Sequence, residues 1–136
     1  PAQDLIMMSA AVSDYRVADR SQIKIKRDGS ALKLELIENP DLIATVSVAE
    51  RPNRQNQIIM AFAAETSISI EQAQEKLLRK GVDLLFLNDV ANQDVFGSES
   101  NGGYLLDSAG VVAEIPYQSK DTLAEDLLDF VVKRLD

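Results

Sequence analysis

Residues 58–90, "IIMAFAAETSISIEQAQEKLLRKGVDLLFLNDV", decide the predicted fold of this chain. The runs at 58–64 and 84–87 are short and almost wholly apolar, which is typical of strands buried on both faces. Between them, residues 69–80 carry apolar side chains at helical spacing, and Gly81 suits the position after a helix. Strands that alternate with helices predict an α/β domain with a mainly parallel sheet.

The first third of the chain adds weaker signals. Residues 5–12 form an apolar run that predicts another buried strand, whereas residues 13–22 are polar and predict a loop. Apolar and charged side chains alternate over residues 32–37, which indicates a half-exposed strand. In "ENPD", we expect Asn39 at a helix N-cap and Pro40 at the first helical position.

The last third predicts a hairpin and a helix. Residues 91–103 are expected to form a loop, and strands at 104–107 and 111–116 bracket the turn "SAG". Ser119 is expected to cap a final amphipathic helix.

Composition excludes several classes of function. A chain of 136 residues with 46% hydrophobic content fits one domain with a core of its own. The net charge of −8 argues against a nucleic-acid or anionic-membrane surface. Without cysteine or histidine there is no disulfide, thiol nucleophile or Ser-His-Asp triad. No apolar run is long enough to span a bilayer, so we expect a cytoplasmic protein without membrane partners. The core-like start just after Pro1 suggests the later part of a longer chain.

Small and acidic residues follow the predicted parallel strands, in "SAAVSD", "FAAET" and "LNDV". Ligands of such sheets bind beyond the carboxyl ends of the strands. Asp14, after the first strand, could accept hydrogen bonds from ribose hydroxyls or could be an ordinary loop residue. Phe62 could stack on a base or could be a core aromatic.

Positive charge gathers at two places in this acidic chain. Lys76 and Lys80 lie one helical turn apart without an acidic residue four positions earlier, whereas Glu75 precedes Arg79 by four. The two lysines fit a solvated helix face or an anion site equally well. The stretch "QIKIKRDGS" at residues 22–30 fits a charged hairpin edge or a mobile anion clamp.

Five motifs, taken in order and at this spacing, carry a resemblance. "SAAVSDYR", "KIKR", "ENPDLIA", "FAAET" and "LNDV" resemble the motifs of phosphopantothenate–cysteine ligase, the ligase part of a bifunctional coenzyme A flavoprotein. The match extends over nearly the whole chain. It implies a Rossmann-like three-layer α/β domain, with a mainly parallel sheet and an added hairpin, incomplete at its N-terminus. Residues 1–136 would form one partial CTP-binding domain.

The resemblance implies a reaction. CTP would activate the carboxylate of 4′-phosphopantothenate as an acyl-cytidylate, and cysteine would attack it through its amine. Mg²⁺ would accompany CTP, its protein ligands being unknown. FMN would belong only to a fused decarboxylase domain that these residues do not include. The resemblance also implies a homodimer, since family members are dimeric through this region.

The resemblance also implies site residues. Lys24 matches a catalytic lysine that contacts the phosphates, Asp14 the ribose-binding acid, and Phe62 the residue beside the cytosine. Lys76 and Lys80 match paired lysines near the nucleotide. The strand end that lines the nucleotide is matched by Met8, Ser9 and Ala10. The helix start whose backbone faces the nucleotide is matched by Pro40, Asp41, Leu42 and Ile43.

One departure from the family pattern and two alternative functions have to be weighed against the resemblance. The family's glycine-rich start and essential asparagine lie upstream of these residues, so CTP binding is expected more firmly than complete catalysis. The alternatives are a non-catalytic α/β module that dimerises and a nicotinamide-dependent reductase fragment. The second is disfavoured because the chain lacks G-x-G-x-x-G.

Overall fold

The computed structural model describes residues 3–50, 57–90 and 98–135. The strands within these ranges are β1 Leu5–Met8, β2 Tyr15–Val17, β3 Leu36–Glu38, β4 Ile58–Glu65, β5 Leu84–Asp89, β6 Ser100–Asp107 and β7 Gly110–Ser119. The helices are α1 Leu42–Glu50, α2 Ile70–Lys80 and α3 Lys120–Leu135. No helix in these ranges has the length and apolar character needed to cross a bilayer.

One five-stranded sheet, in the order β1-β4-β5-β6-β7, organises the chain. β1, β4 and β5 are parallel, whereas β6 is antiparallel to both of its neighbours. β7 therefore points the same way as β5, so four of the five strands share one direction. The predicted mainly parallel sheet with an added hairpin is confirmed.

The sheet separates two apolar layers. On one face, α1 and α2 cover side chains such as Ile59 and Leu85. On the other face, α3 packs on side chains such as Met60 and Phe86. All four are at most 1% exposed, and burying a side chain of this size stabilises a fold by about 1.5–3 kcal/mol. The predicted three-layer α/β class is therefore confirmed.

The capping predictions for the two long helices are confirmed. The Ser69 hydroxyl accepts a hydrogen bond from the Gln72 amide at 3.3 Å. Gly81 ends α2 in the left-handed region with φ 66°, a conformation that costs glycine little. At α3, the Thr122 amide donates to the Ser119 hydroxyl at 3.1 Å.

The prediction for the first third is partly wrong. β1 ends at Met8, and residues 9–12 are exposed outside any strand. β2 falls within the predicted loop and pairs antiparallel with β3. A pair of three-residue strands has no room for a recurring apolar pattern, which is the signal that predicts a strand.

Residues 20–35, called the strap here, are exposed throughout and contain no strand. The predicted strand at 32–37 is confirmed only where it overlaps β3, and the charged hairpin edge is wrong. The bend itself is present, because the Asp28 carboxylate accepts hydrogen bonds from the Ser30 amide and hydroxyl. Gly29 follows with φ 85°.

Three further boundaries differ from the predictions. α1 begins at Leu42 and its cap is Asp41, not Asn39, since the Ala44 amide donates to the Asp41 carboxylate at 3.1 Å. The predicted end of this helix at residues 51–53 lies outside the described residues. The β6–β7 hairpin is longer than predicted at both ends, and β6 takes in residues 100–103 of the predicted loop.

Candidate functional site

The parallel strands bring their carboxyl ends to one edge of the sheet. β4 ends at Glu65 and β5 at Asp89, and these two residues are register partners. Partners in register point to the same face, here the face that α2 covers. Ala63 and Ala64 precede Glu65, so the backbone at this end of β4 is open to close approach.

A small groove runs between the end of β4 and the first turns of α2. It is lined by Ala63, Glu65, Ser67, Ser69, Gln72, Ala73, Lys76 and Leu87. Lys76 donates to Glu65 Oε1 at 2.6 Å within it. The groove thus combines hydroxyl groups, one ammonium and one carboxylate near the N-terminus of a helix, a position that favours anions.

One turn farther along α2, Lys80 contacts the start of α1. Its Nζ lies 2.6 Å from Asp41 Oδ2. Burial raises the pKa of Asp41, but hydrogen bonds from Lys80 and the Ala44 amide, with the Lys80 charge, outweigh it and hold that pKa below its usual range. Asp41 therefore stays ionised and ties the two helices together.

Both lysines thus have acidic partners, which their helix sequence does not reveal. Glu65 comes from β4 and Asp41 from the residue before α1. The pairing expected between Glu75 and Arg79 is not among the ion pairs of the described residues. Neither lysine has an acidic residue four positions earlier in α2, but each finds its carboxylate partner in another part of the fold.

Asp14 lies beside the start of α1. The Asn39 amide donates to the Asp14 carbonyl at 2.8 Å, and the Asn39 side chain donates to the Ser13 carbonyl at 2.7 Å. Arg16 also reaches Asn39, at 3.0 Å. The structure therefore places Asp14 next to residues 40–43, two parts of the site predicted separately.

The strand-end residues differ in their surroundings. Met8 is half-buried against the core layer that α1 and α2 cover, whereas Ser9 and Ala10 are exposed. Ile43 is only 5% exposed, so its side chain belongs to the core and only its backbone could serve a ligand.

Two further predicted residues, Phe62 and Lys24, take no part in the ion pairs of the α2 lysines. Phe62 lies on the α3 face, edge-to-face with Phe86 at a centroid distance of 6.1 Å. Lys24 lies in the strap and makes no ion pair with any described residue. Strand periodicity explains the position of Phe62, since its neighbours Ala61 and Ala63 occupy the α2 face.

The sequence reasoning missed Glu65 and the polar lining Ser67, Ser69 and Gln72. "FAAET" contained the signal, because a carboxylate at the end of a parallel strand lies at the ligand edge. Its pairing with Lys76, eleven positions later, is visible only in three dimensions.

Comparison with known proteins shows the family of this chain. The profile of the DNA/pantothenate metabolism flavoprotein C-terminal domain matches residues 1–135. The chain belongs to this family. It is 36% identical over 127 residues to the coenzyme A biosynthesis bifunctional protein CoaBC of Haemophilus influenzae, covering 92% of the chain and 30% of that protein. It is 37% identical over 142 residues to the CoaBC of Mycobacterium tuberculosis, covering 97% of the chain and 33% of that protein.

A solved structure from this family has a similar fold. The crystal structure of the C-terminal domain of a CoaBC protein superposes with a TM-score of 0.67 at 26% identity. The match covers 97% of this chain and 57% of that one. The chain thus spans about a third of its curated relatives and rather more than half of this family domain.

Proposed function

We propose that this chain is the nucleotide-binding part of a CTP-dependent phosphopantothenate–cysteine ligase that acts in coenzyme A biosynthesis in the cytoplasm. The observation that carries the proposal is the groove with Lys76 and, one turn on, Lys80, beside the start of α1. Membership of a family whose relatives are named for coenzyme A biosynthesis supports it.

The proposed reaction has two steps. The phosphopantothenate carboxylate attacks the α-phosphorus of CTP, forming the acyl-cytidylate and releasing pyrophosphate. The cysteine amine then attacks the acyl carbon, forms the amide, loses a proton and releases CMP. No protein nucleophile is needed, so a chain without cysteine or histidine can contribute through positioning and charge.

Each residue has a part in this scheme. Lys76 and Lys80 would bind phosphate oxygens, with the backbone amides of Leu42 and Ile43 adding donors at the start of α1. Asp14 would accept hydrogen bonds from the ribose. We assign Lys24, in the strap, to the phosphates and the acyl-cytidylate.

Magnesium fits the donors present. The described residues contain no group of three His, Cys, Asp or Glu side chains that could enclose an ion. Mg²⁺ is commonly held by one or two carboxylates together with substrate phosphates, and Glu65 and Asp41 are the carboxylates that contact the two lysines. Bound there, the ion would neutralise triphosphate charge.

CTP binding tests the proposal. CTP with Mg²⁺ is expected to raise the melting temperature of the folded protein more than ATP with Mg²⁺ does, because a ligand that binds the native state more tightly stabilises it more at the same concentration. Equal shifts with both nucleotides, or none, would refute the proposal.

A second candidate function is a non-catalytic module that dimerises. The exposed apolar side chains of the strap favour it, since Ile23 is 80% and Leu32 64% exposed. We also propose a homodimer for the ligase, so dimerisation alone does not separate the two functions. Nucleotide preference does, because the module would show none.

A further inference from the structure

Glu65 forms an ion pair with the Lys76 ammonium group, which is the group that an anionic ligand in the groove would need. Lys76 Nζ lies 2.6 Å from Glu65 Oε1, and both residues line the groove at the start of α2. The pair is only partly exposed, at 31% for Lys76 and 41% for Glu65, so water screens it incompletely. An anion that enters the groove meets a carboxylate as well as a lysine.

Each of the two lysines at this site has one carboxylate partner. Two lysines on α2 face two carboxylates, Glu65 and Asp41, each at 2.6 Å. Without its partners the helix face would attract any phosphate. With them, a ligand must displace a carboxylate and then bear its repulsion at close range.

The two carboxylates are not equivalent. Asp41 also caps α1 through the Ala44 amide, so its position is fixed by the helix that it starts. Within the part of the chain that the structure describes, the Glu65 side chain accepts one hydrogen bond, and its donor is Lys76. Glu65 is therefore the carboxylate that can leave its lysine without uncapping a helix.

We propose that Glu65 is a specificity-determining residue: it holds Lys76 as a counter-ion, so that polyphosphate binds in this groove with a divalent cation and binds poorly without one. A cation that accompanies the ligand neutralises the displaced carboxylate, which removes the repulsion. This inference rests on the proposed function for its biological ligand, but its chemistry concerns any polyphosphate.

Inorganic tripolyphosphate is the probe, titrated calorimetrically into the protein with and without Mg²⁺. In the wild type, Mg²⁺ is expected to tighten binding. Glu65→Gln keeps the size of the side chain and removes its charge, so metal-free tripolyphosphate should bind about three- to fivefold more tightly. The gain from Mg²⁺ should shrink in the same variant.

Glu75→Gln is the matched control. Like the change at Glu65, it removes one negative charge, but from an exposed position on α2 that does not line the groove. It should leave both affinities within about twofold of wild type, the range expected when an exposed charge without a partner is removed. Circular dichroism and melting curves confirm that each variant is folded.

The outcomes separate cleanly. Metal-free binding that is unchanged or weaker in Glu65→Gln overturns the inference, as does an equal gain in Glu75→Gln, which would mark a general charge effect. No binding of tripolyphosphate to the wild type with Mg²⁺ also overturns it. If tripolyphosphate behaves as expected but CTP binds no better than ATP, the proposed function fails and the role of Glu65 stands.

Discussion

The Nζ of Lys80 lies 2.6 Å from Oδ2 of Asp41, and the other oxygen of that carboxylate caps α1. One side chain thus joins the last turn of α2 to the first turn of α1. A second contact has the same effect deeper in the fold, where the buried Ser47 hydroxyl donates to the Gly81 carbonyl. The two helices are fixed to each other at the place where the lysines are displayed.

The Asp41 carboxylate predicts a pH dependence. Its pKa in the fold lies below the ordinary value of 3.8, so its stabilising contribution is present above that pH and is lost as the pH falls through the lowered pKa. Asp41→Asn should lower the free energy of unfolding at pH 7 by up to about 1 kcal/mol, the range for an exposed pair. Urea unfolding should show this difference shrinking as the pH drops below 3.8. A difference that is the same at acid and neutral pH would contradict the assignment, and Asp129→Asn on α3 is the control.

The lysines of α2 predict a loss of affinity. Lys76→Gln and Lys80→Gln should each weaken binding of CTP with Mg²⁺ by roughly tenfold or more, because a hydrogen bond to a charged group contributes about 1.5–3 kcal/mol. Isothermal titration measures the change. Lys133→Gln removes an equal charge from α3 and should leave CTP affinity unchanged. Similar losses in all three variants would indicate an effect of net charge.

Lys24 is predicted to act after activation of the carboxylate. In a complete ligase that contains this chain, Lys24→Gln should allow pyrophosphate release and block formation of phosphopantothenoylcysteine. Release of pyrophosphate and yield of product are assayed in parallel. A normal product yield would remove Lys24 from the mechanism, whereas loss of both would place it in the first step.

The strap predicts self-association. Ile23 and Ile25 are 80% and 58% exposed, and exposed apolar side chains so close together favour an interface. A double change of both to serine should convert a dimer to a monomer in light scattering at micromolar concentration. Val132→Ser is the control, because it removes from α3 an apolar side chain that is 53% exposed, close to the value for Ile25. A wild-type protein that is monomeric contradicts the homodimer outright.

Gly103 predicts an intolerant position in the sheet. A Cβ there would lie 2.0 Å from the Leu87 carbonyl oxygen, so β5 and β6 would have to separate. Gly103→Ala should destabilise the fold more than Gly102→Ala, whose Cβ meets backbone atoms at 2.9–3.0 Å. Denaturant unfolding should rank the two in that order, with the first costing at least about 3 kcal/mol. The reverse order would mean that β6 shifts easily.

The sequence predicted those parts of the fold in which one strong local signal sufficed. The sequence of α2 combines an N-cap serine, apolar residues at helical spacing and a terminal glycine. In the structure Ser69 caps the helix, Ala73 and Leu77 are buried, and Gly81 ends it. The buried strands β4 and β5 were equally clear, because both faces are covered and the apolar run is continuous.

The parts that failed depend on contacts between distant segments. β2 and β3 are three residues each and pair across eighteen intervening positions, so neither has a pattern of its own. Asp41 displaced Asn39 as the cap of α1, and Asn39 instead tethers the loop that contains Ser13. Both residues suit an N-cap, and only their partners in space decide between them.

The residues of the candidate site also divide into those that the sequence predicted and those that it did not. Lys76, Lys80, Asp14 and residues 40–43 were predicted and lie close to one another in a chain of contacts. Glu65 was not predicted as a site residue, because its importance comes from the lysine that it contacts. The roles assigned to Phe62 and Lys24 rest on resemblance. Phe62 lies on the face of the sheet opposite the α2 lysines, and Lys24 lies in the exposed strap.

The position of α3 has a practical use. This helix lies on the face of the sheet opposite the groove, and its outer side is exposed at residues such as Glu125 and Asp129. Because the chain has no cysteine, a single Cys introduced at position 129 would be the only thiol available for labelling. A fluorophore attached there would follow tumbling and assembly in solution while the lysine face stays free to receive its ligand.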